Sequence, residues 1–146
     1  MLPAALKPRL SNLAELIDTQ CAGHADFDVL TFVDIASDGR LTDERRSYGQ
    51  LQHNARRLAA WLQARGVGEG DRFALMMNNH PEFVEAMIAA ALIGAVFVPI
   101  DPRSVGEKLA YMLNFVECRV VVAGGYAVGA ISEAAESLTH TTEVLV

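Results

Sequence analysis

Cysteine is scarce in this chain: Cys21 and Cys118 stand alone among 146 residues, without a C-x-x-C pair. That spacing excludes a disulfide scaffold and a thiolate metal cluster, and it suggests a reducing, cytoplasmic setting. Basic charge is also short, with 12 Lys and Arg against 18 Asp and Glu and a formal charge of −6. No basic stripe exists to neutralise a phosphate backbone, so nucleic acid is not an expected partner. The four histidines, His24, His53, His80 and His140, lack metal-ligand spacing. Long apolar runs are missing too. The longest uncharged stretch, Ala86 to Ile100, is too short to span a bilayer and is broken by Gly94 and Pro99. Met1 to Leu10 contains Pro3 and Pro8 and does not read as a signal peptide.

What is present is a core. Half of the residues are hydrophobic (51%), and a chain of this length can bury roughly two-thirds of its unfolded surface. Asn12-Leu-Ala-Glu15 has the form of a capping box opening a short helix that ends near Gly23. Val29 to Ile35 is rich in β-branched and aromatic residues and predicts a strand. Asp38-Gly39 predicts a turn, and Arg40 to Arg46 an edge strand or loop. Ser47-Tyr-Gly-Gln50 is a second capping box. Leu51, Ala55, Leu58, Ala59 and Leu62 then repeat at helical spacing up to Gly66, with Arg56, Arg57, Gln63 and Arg65 on the wet face.

Asp71 to Met77 reads as a strand buried on both faces. Asn79 caps the next helix, Glu82 to Ile93, with Pro81 in its first turn; this helix is apolar nearly all round and so buried on more than one side. Ala95 to Ile100 is a strand, and Ser104 caps a helix that turns Leu109, Met112, Leu113 and Val116 inward. Val120 to Ala123 is a strand, Tyr126 to Ser137 a helix, and Glu143 to Val146 begins another strand. Met76, Met77, Met87 and Met112 belong to the core. Alternating strand and helix from Ser47 onward predict an α/β fold with a mainly parallel sheet and flanking helices. We divide the chain into an N-terminal extension with a short helix, 1–28, and an α/β framework, 29–146.

Four motifs stand in order along this pattern. Arg46-Ser47-Tyr48-Gly49-Gln50-Leu51 resembles L-[TS]-Y-x-E-L. The helix that follows runs into Gly66-Val67-Gly68-Glu69-Gly70-Asp71, which resembles G-V-x-x-G-D. Asn79-His80-Pro81-Glu82-Phe83-Val84 resembles N-x-P-E-F-V, and Leu92 to Asp101 resembles L-K-A-G-x-A-Y-V-P-I-D. Each is ordinary helix, turn or strand chemistry alone. Together they resemble the N-terminal part of the adenylate-forming (AMP-binding) enzymes, across about Phe32 to Ala123. Arg46 replaces the expected Leu, Gln50 the expected Glu, and Ile93 stands where peptide-synthetase domains favour Lys; these departures lean toward an acyl- or aryl-CoA ligase.

The resemblance implies a parent enzyme that adenylates a carboxylic acid with ATP and Mg2+ and passes the acyl group to CoA. In the family a Ser/Thr/Gly-rich loop holds the ATP phosphates, and no stretch of this sequence matches it. The resemblance therefore places no catalytic residue and no metal ligand here, and these residues alone are expected to be inactive, with no tightly bound cofactor. Arg103 occupies a loop that in some CoA ligases of the family offers an arginine to a CoA phosphate, a task its fork suits; the plainer alternative is a solvated loop arginine.

Two glycine patterns do not make dinucleotide sites. Gly66-x-Gly68-x-Gly70 follows a helix, not a strand. Gly124-Gly125-x-x-x-Gly129 has the right context and the wrong spacing. A different class of function, a free-standing non-enzymatic α/β binding or interaction module, rests on that turn and on the apolar excess. The expected partners are the remainder of the parent enzyme, its carboxylic acid substrate, and further copies of this chain through a free sheet edge or apolar face.

Overall fold

The structure, a computed structural model, describes residues 12–140 and 142–146; the reading of Met1 to Leu10 lies outside them. Helix α1 (Leu13–His24) starts where the Asn12 side chain accepts the Glu15 N–H. Strands β1 (Asp28–Ile35) and β2 (Leu41–Ser47) form an antiparallel hairpin, turning at Gly39 with its φ of 83°. In β2 the polar arm is therefore a strand.

Helix α2 (Tyr48–Gln63) opens on a complete capping box: Ser47 Oγ accepts the Gln50 N–H, and the Gln50 side chain accepts the Ser47 N–H at 2.8 Å. It ends through Gly66 at φ 77°, with Val67 N–H bonded to the Leu62 carbonyl and Gly66 N–H to that of Gln63. That pair of bonds is a Schellman ending, which needs the left-handed residue that glycine supplies.

From there β3 (Arg72–Met76), α3 (Pro81–Ile93), β4 (Val96–Pro99), α4 (Gly106–Val116), β5 (Val120–Ala123), a 3-10 turn (Gly125–Ala127), α5 (Val128–Ala135) and β6 (Glu143–Leu145) alternate as expected. The four strands pair in parallel in the order β4-β3-β5-β6. Alternate residues of β3 divide the core. Ala74 and Met76 face α4 and α5, packing with Leu109, Leu113 and Ile131, while Phe73 and Leu75 face α2 and α3, packing with Leu62, Ala86 and Ala90. A third cluster, around Ile17, Leu51, Ala55 and Ile88, holds α1 against α2 and α3. Helix α3 is thus buried on two sides, the reason its sequence shows little amphipathic character.

Strand β4 is one edge of the sheet. Val96 and Ile100 donate their N–H groups inward to the carbonyls of Asp71 and Leu75. Pro99 falls on the outward phase, where its missing N–H costs the ladder nothing.

Three boundaries differ from the sequence reading. His80, not Asn79, is the N-cap of α3, because Pro81 takes the first helical position. Ser104 does not cap α4: it is buried, and Val105 is the N-cap, with Gly106 opening the helix at a φ of 57°. Tyr126 lies in the 3-10 turn, and the α-helix proper runs from Val128 to Ala135.

Candidate functional site

The order β4-β3-β5-β6 makes the chain leave β3 and β5 toward opposite faces of the sheet, into α3 and α5. Adjacent loops that diverge in this way open a crevice at the strands' C-terminal ends, the usual ligand position in an open parallel sheet. Here the two sides are Asn78-Asn79-His80, after β3, and Gly124-Gly125-Tyr126, after β5. Tyr126 spans the crevice: its hydroxyl accepts the Asn78 N–H at 2.5 Å and lies 3.2 Å from His80 Nε2. The His80 ring packs in turn, tilted by 42°, against Phe32 of the hairpin, with centroids 5.4 Å apart.

Two clefts share Met77 and His80 as a common wall. On one side is a largely apolar cleft of about 470 Å³, walled by Leu58, Met77, His80, Val122, Gly124 and Leu145, with Glu82 and Glu85 at its margin. On the other is a more polar basin of about 690 Å³ that includes Phe32, Asp34, Asn78, His80, Asp101 and Arg103. A third hollow, of about 530 Å³, lies at the opposite end of the strands between Asp71, Arg72, Asn114, Glu117, Arg119 and His140. Much of its polar lining is already partnered: Arg72 with Glu117, Asn114 with Ser137 and Thr139, and His140 with the Cys118 carbonyl. The strand-end crevice is the better candidate.

Arg103 projects into solvent from the basin, its side chain 88% exposed. Its guanidinium grips Asp101 two residues back, with Nε at 3.0 Å from Oδ1 and the terminal nitrogen at 2.7 Å from Oδ2; its own N–H also bonds Oδ1. Those bonds, side chain first and backbone second, hold the Asp101 carboxyl down to about 2. The fork that would meet a phosphate is therefore occupied by a carboxylate of the same loop. Among the described residues no three His, Cys, Asp or Glu side chains gather closely enough to hold a metal ion.

One polar cluster escaped the sequence reading. Arg46, singled out only as a departure from a motif, points from β2 onto α3, where Nε lies 3.0 Å from Glu85 Oε1 and a terminal nitrogen 3.4 Å from Glu82. Glu44 closes on the same guanidinium at 2.6 Å, and Asn54 of α2 donates to Glu85 Oε1 at 2.8 Å. Burial would lower the Arg46 pKa, and the bonds from Glu44 and Glu85 outweigh it, so the net direction is up. The signal was Glu85 itself, a carboxylate just ahead of the uncharged run Ala86 to Ile93. Both cysteines are free thiols, and burial pushes Cys118 up to about 11.

Fold and crevice together define an open, doubly wound α/β protein with its ligand end at the strand C-termini. The chain belongs to the AMP-binding enzyme family, whose model matches residues 17–146. Curated relatives include acyl-CoA ligase SID4 of Ajellomyces capsulatus, 32% identical over 109 residues that make up 75% of this chain and 17% of that protein. Medium/long-chain-fatty-acid–CoA ligase FadD6 of Mycobacterium tuberculosis is 36% identical over 95 residues, 65% of this chain and 16% of its own length. Among solved structures, a Mycobacterium tuberculosis fatty acyl CoA synthetase superposes with a TM-score of 0.74 at 27% identity, covering 92% of this chain and 26% of that one. The chain thus spans about a sixth of the length of the curated relatives it matches.

Proposed function

We propose that this chain is the N-terminal framework of an AMP-forming acyl-CoA ligase, an enzyme that joins a carboxylic acid to the CoA thiol through an acyl adenylate. The family match over residues 17–146 carries this reading. ATP and Mg2+ would be held by parts of the family's machinery that these residues do not supply. CoA is the one cofactor for which this chain offers a group. Arg103, at the rim of the basin, has the charge and fork to meet a CoA phosphate once Asp101 gives way. No helix among the described residues is long and apolar enough to cross a membrane, and the free thiols support a cytoplasmic setting.

Residues 1–146 alone do not adenylate. The test supplies the purified chain with ATP, Mg2+ and a panel of carboxylic acids and follows pyrophosphate. None is expected, and measurable release overturns the division of labour. The same panel applied to a longer gene product, with CoA added, should yield an acyl-CoA; its absence across aliphatic and aromatic acids would remove the ligase reading. We also propose that the isolated chain self-associates through exposed apolar groups such as Val33, Ile35 and Leu41 of the hairpin. Sedimentation should show mass rising with concentration, against a sharp monomer if the proposal is wrong.

A further inference from the structure

The Tyr126 hydroxyl carries a single proton, and the groups around it decide where that proton points. We propose that Tyr126 is a positioning residue for His80. It fixes the ring as the Nδ1–H tautomer, so that the polar basin offers a neutral hydrogen-bond donor to an uncharged carbonyl oxygen of its ligand. The identity of that ligand rests on the proposed role of the basin in meeting CoA, a molecule that carries amide carbonyls as well as phosphates.

Three observations carry it. First, the phenol oxygen already accepts the Asn78 N–H at 2.5 Å, and His80 Nε2 lies 3.2 Å from the same oxygen. An oxygen that accepts on one side is polarised to donate on the other, so the chain from Asn78 N–H through Tyr126 O–H to His80 Nε2 strengthens itself. The reverse choice, with Nε2–H donating, would load a second donor onto that oxygen. It would also leave the phenol proton without a protein acceptor among the described residues. Nε2 is therefore the acceptor, and the proton of the neutral ring sits on Nδ1. Second, His80 is the N-cap of α3, yet its side chain makes no cap bond. A capping imidazole would turn an unprotonated Nδ1 toward a helix N–H, and here Nδ1 does not accept one.

Third, His80 lines the basin, and its Nδ1 has no hydrogen-bond partner among the described residues. The two ring nitrogens diverge, so a ring that turns Nε2 to Tyr126 turns Nδ1 away from it, and Phe32 packs against the ring. The charge of the basin selects the acceptor. Asp34 and Asp101 face a single guanidinium, that of Arg103, which is already closed on Asp101. The remaining carboxylate repels a second anion beside His80 and leaves a neutral oxygen as the better partner for a neutral donor. Tyr126→Phe keeps an aromatic ring over Gly124, where a Cβ would come within 2.5 Å of it, and removes the hydroxyl. Losing about one net hydrogen bond should move the tautomer ratio roughly fivefold toward the Nε2–H form that a free imidazole side chain favours.

The experiment reads the two ring nitrogens of His80 by 15N NMR in the chain and in Tyr126→Phe, at a pH where imidazole is neutral. Circular dichroism checks that the variant is folded, and the first reading needs no variant. The expected result is His80 mainly in the Nδ1–H form, with the ratio shifted about fivefold toward Nε2–H in Tyr126→Phe. A wild-type ring mainly in the Nε2–H form, or an unchanged ratio in the variant, overturns the proposal. CoA is then titrated into both proteins. It should displace the His80 Nδ1 resonance in the wild-type chain, and the displacement should be largely lost in Tyr126→Phe. No displacement in the wild type, or an equal one in both, also overturns it. Arg103→Ala keeps the two readings apart. CoA that displaces His80 equally in that variant removes Arg103 as a phosphate contact and leaves the role of Tyr126 in place. CoA that perturbs Arg103 and leaves His80 unmoved does the reverse.

Discussion

The parallel sheet and the hairpin are held by opposite means. Strand β5 is buried at all four positions, and β3 at every position after Arg72, with Phe73, Ala74, Leu75 and Met76 fully enclosed. The hairpin buries none of its residues fully, and Val33, Ile35 and Leu41 are at least half exposed. Its inner face meets α3 through Leu30, packed against the cluster that holds Ile88 and Ala89, through Phe32 against the His80 ring, and through the polar grip of Arg46 on Glu85 and Glu82. Apolar burial is non-directional and tolerates small shifts. A hydrogen-bonded ion cluster fixes one register and fails sharply when one partner is lost. One region is held by volume and the other by geometry.

The largest effect should come from the sheet. Phe73→Ala removes a wholly buried ring between β3 and the α2–α3 layer and should cost about 3–5 kcal/mol, a large part of a domain's total stability. Denaturant unfolding measures it, and a loss confined to the hairpin's own probes would break the comparison. Next comes Arg46→Leu, which strands the buried Glu85 carboxylate and should cost about 2–3 kcal/mol. Hydrogen exchange should then rise in the β1 and β2 amides first, leaving β3 and β5 protected. Adding Glu85→Leu should recover most of the lost stability, since the stranded carboxylate is removed; no recovery would mean that the cost lies in the lost geometry of the cluster and not in the unpaired charge.

A smaller step, about 1 kcal/mol, is expected for Ser47→Ala, which removes half of the capping box at the junction of hairpin and helix. Thermal unfolding reads it, with Gln50→Ala as the reciprocal half. The least effect on stability belongs to Asp101. A carboxyl whose pKa falls on folding contributes stability above its ordinary value of 3.8 and loses it as the pH drops through about 2. The Asp101 carboxyl carbon should therefore titrate near 2 by NMR. A midpoint near 4 would show that Arg103 is free in solution and already open to an anion.

What the sequence made legible was local. Ser47 and Gln50 are three residues apart, and their reciprocal bonds depend on nothing else in the fold. The helical spacing of Leu51, Ala55 and Leu62 likewise reports only which side is buried. The misread caps fail for equally local reasons that compete with cap propensity. Pro81 shifts the cap of α3 onto His80, and Gly106, at a φ of 57°, opens α4 with Val105 in the cap position. The crevice was not legible in the same way. Arg46 meets Glu85 across 39 residues, and Tyr126 meets Asn78 across 48. The first exists only after β2 has docked on α3, and the second only after β3 and β5 have paired. Arg103 was found by motif position, and its grip on Asp101 could not be, because a short loop can place those two side chains together or apart.

Pro99 gives the sheet a direction of growth. On the β4 side the free edge lacks one of its outward donors, so an incoming strand would meet a gap in the ladder where a hydrogen bond should form. On the β6 side, Val120 to Val122 pair with a strand whose own outer edge carries a full complement of backbone groups. Strand addition is therefore disfavoured on one flank and permitted on the other. The two flanks are therefore unequal: a strand beside Val96–Pro99 would find one donor missing, and a strand beside Glu143–Leu145 would not.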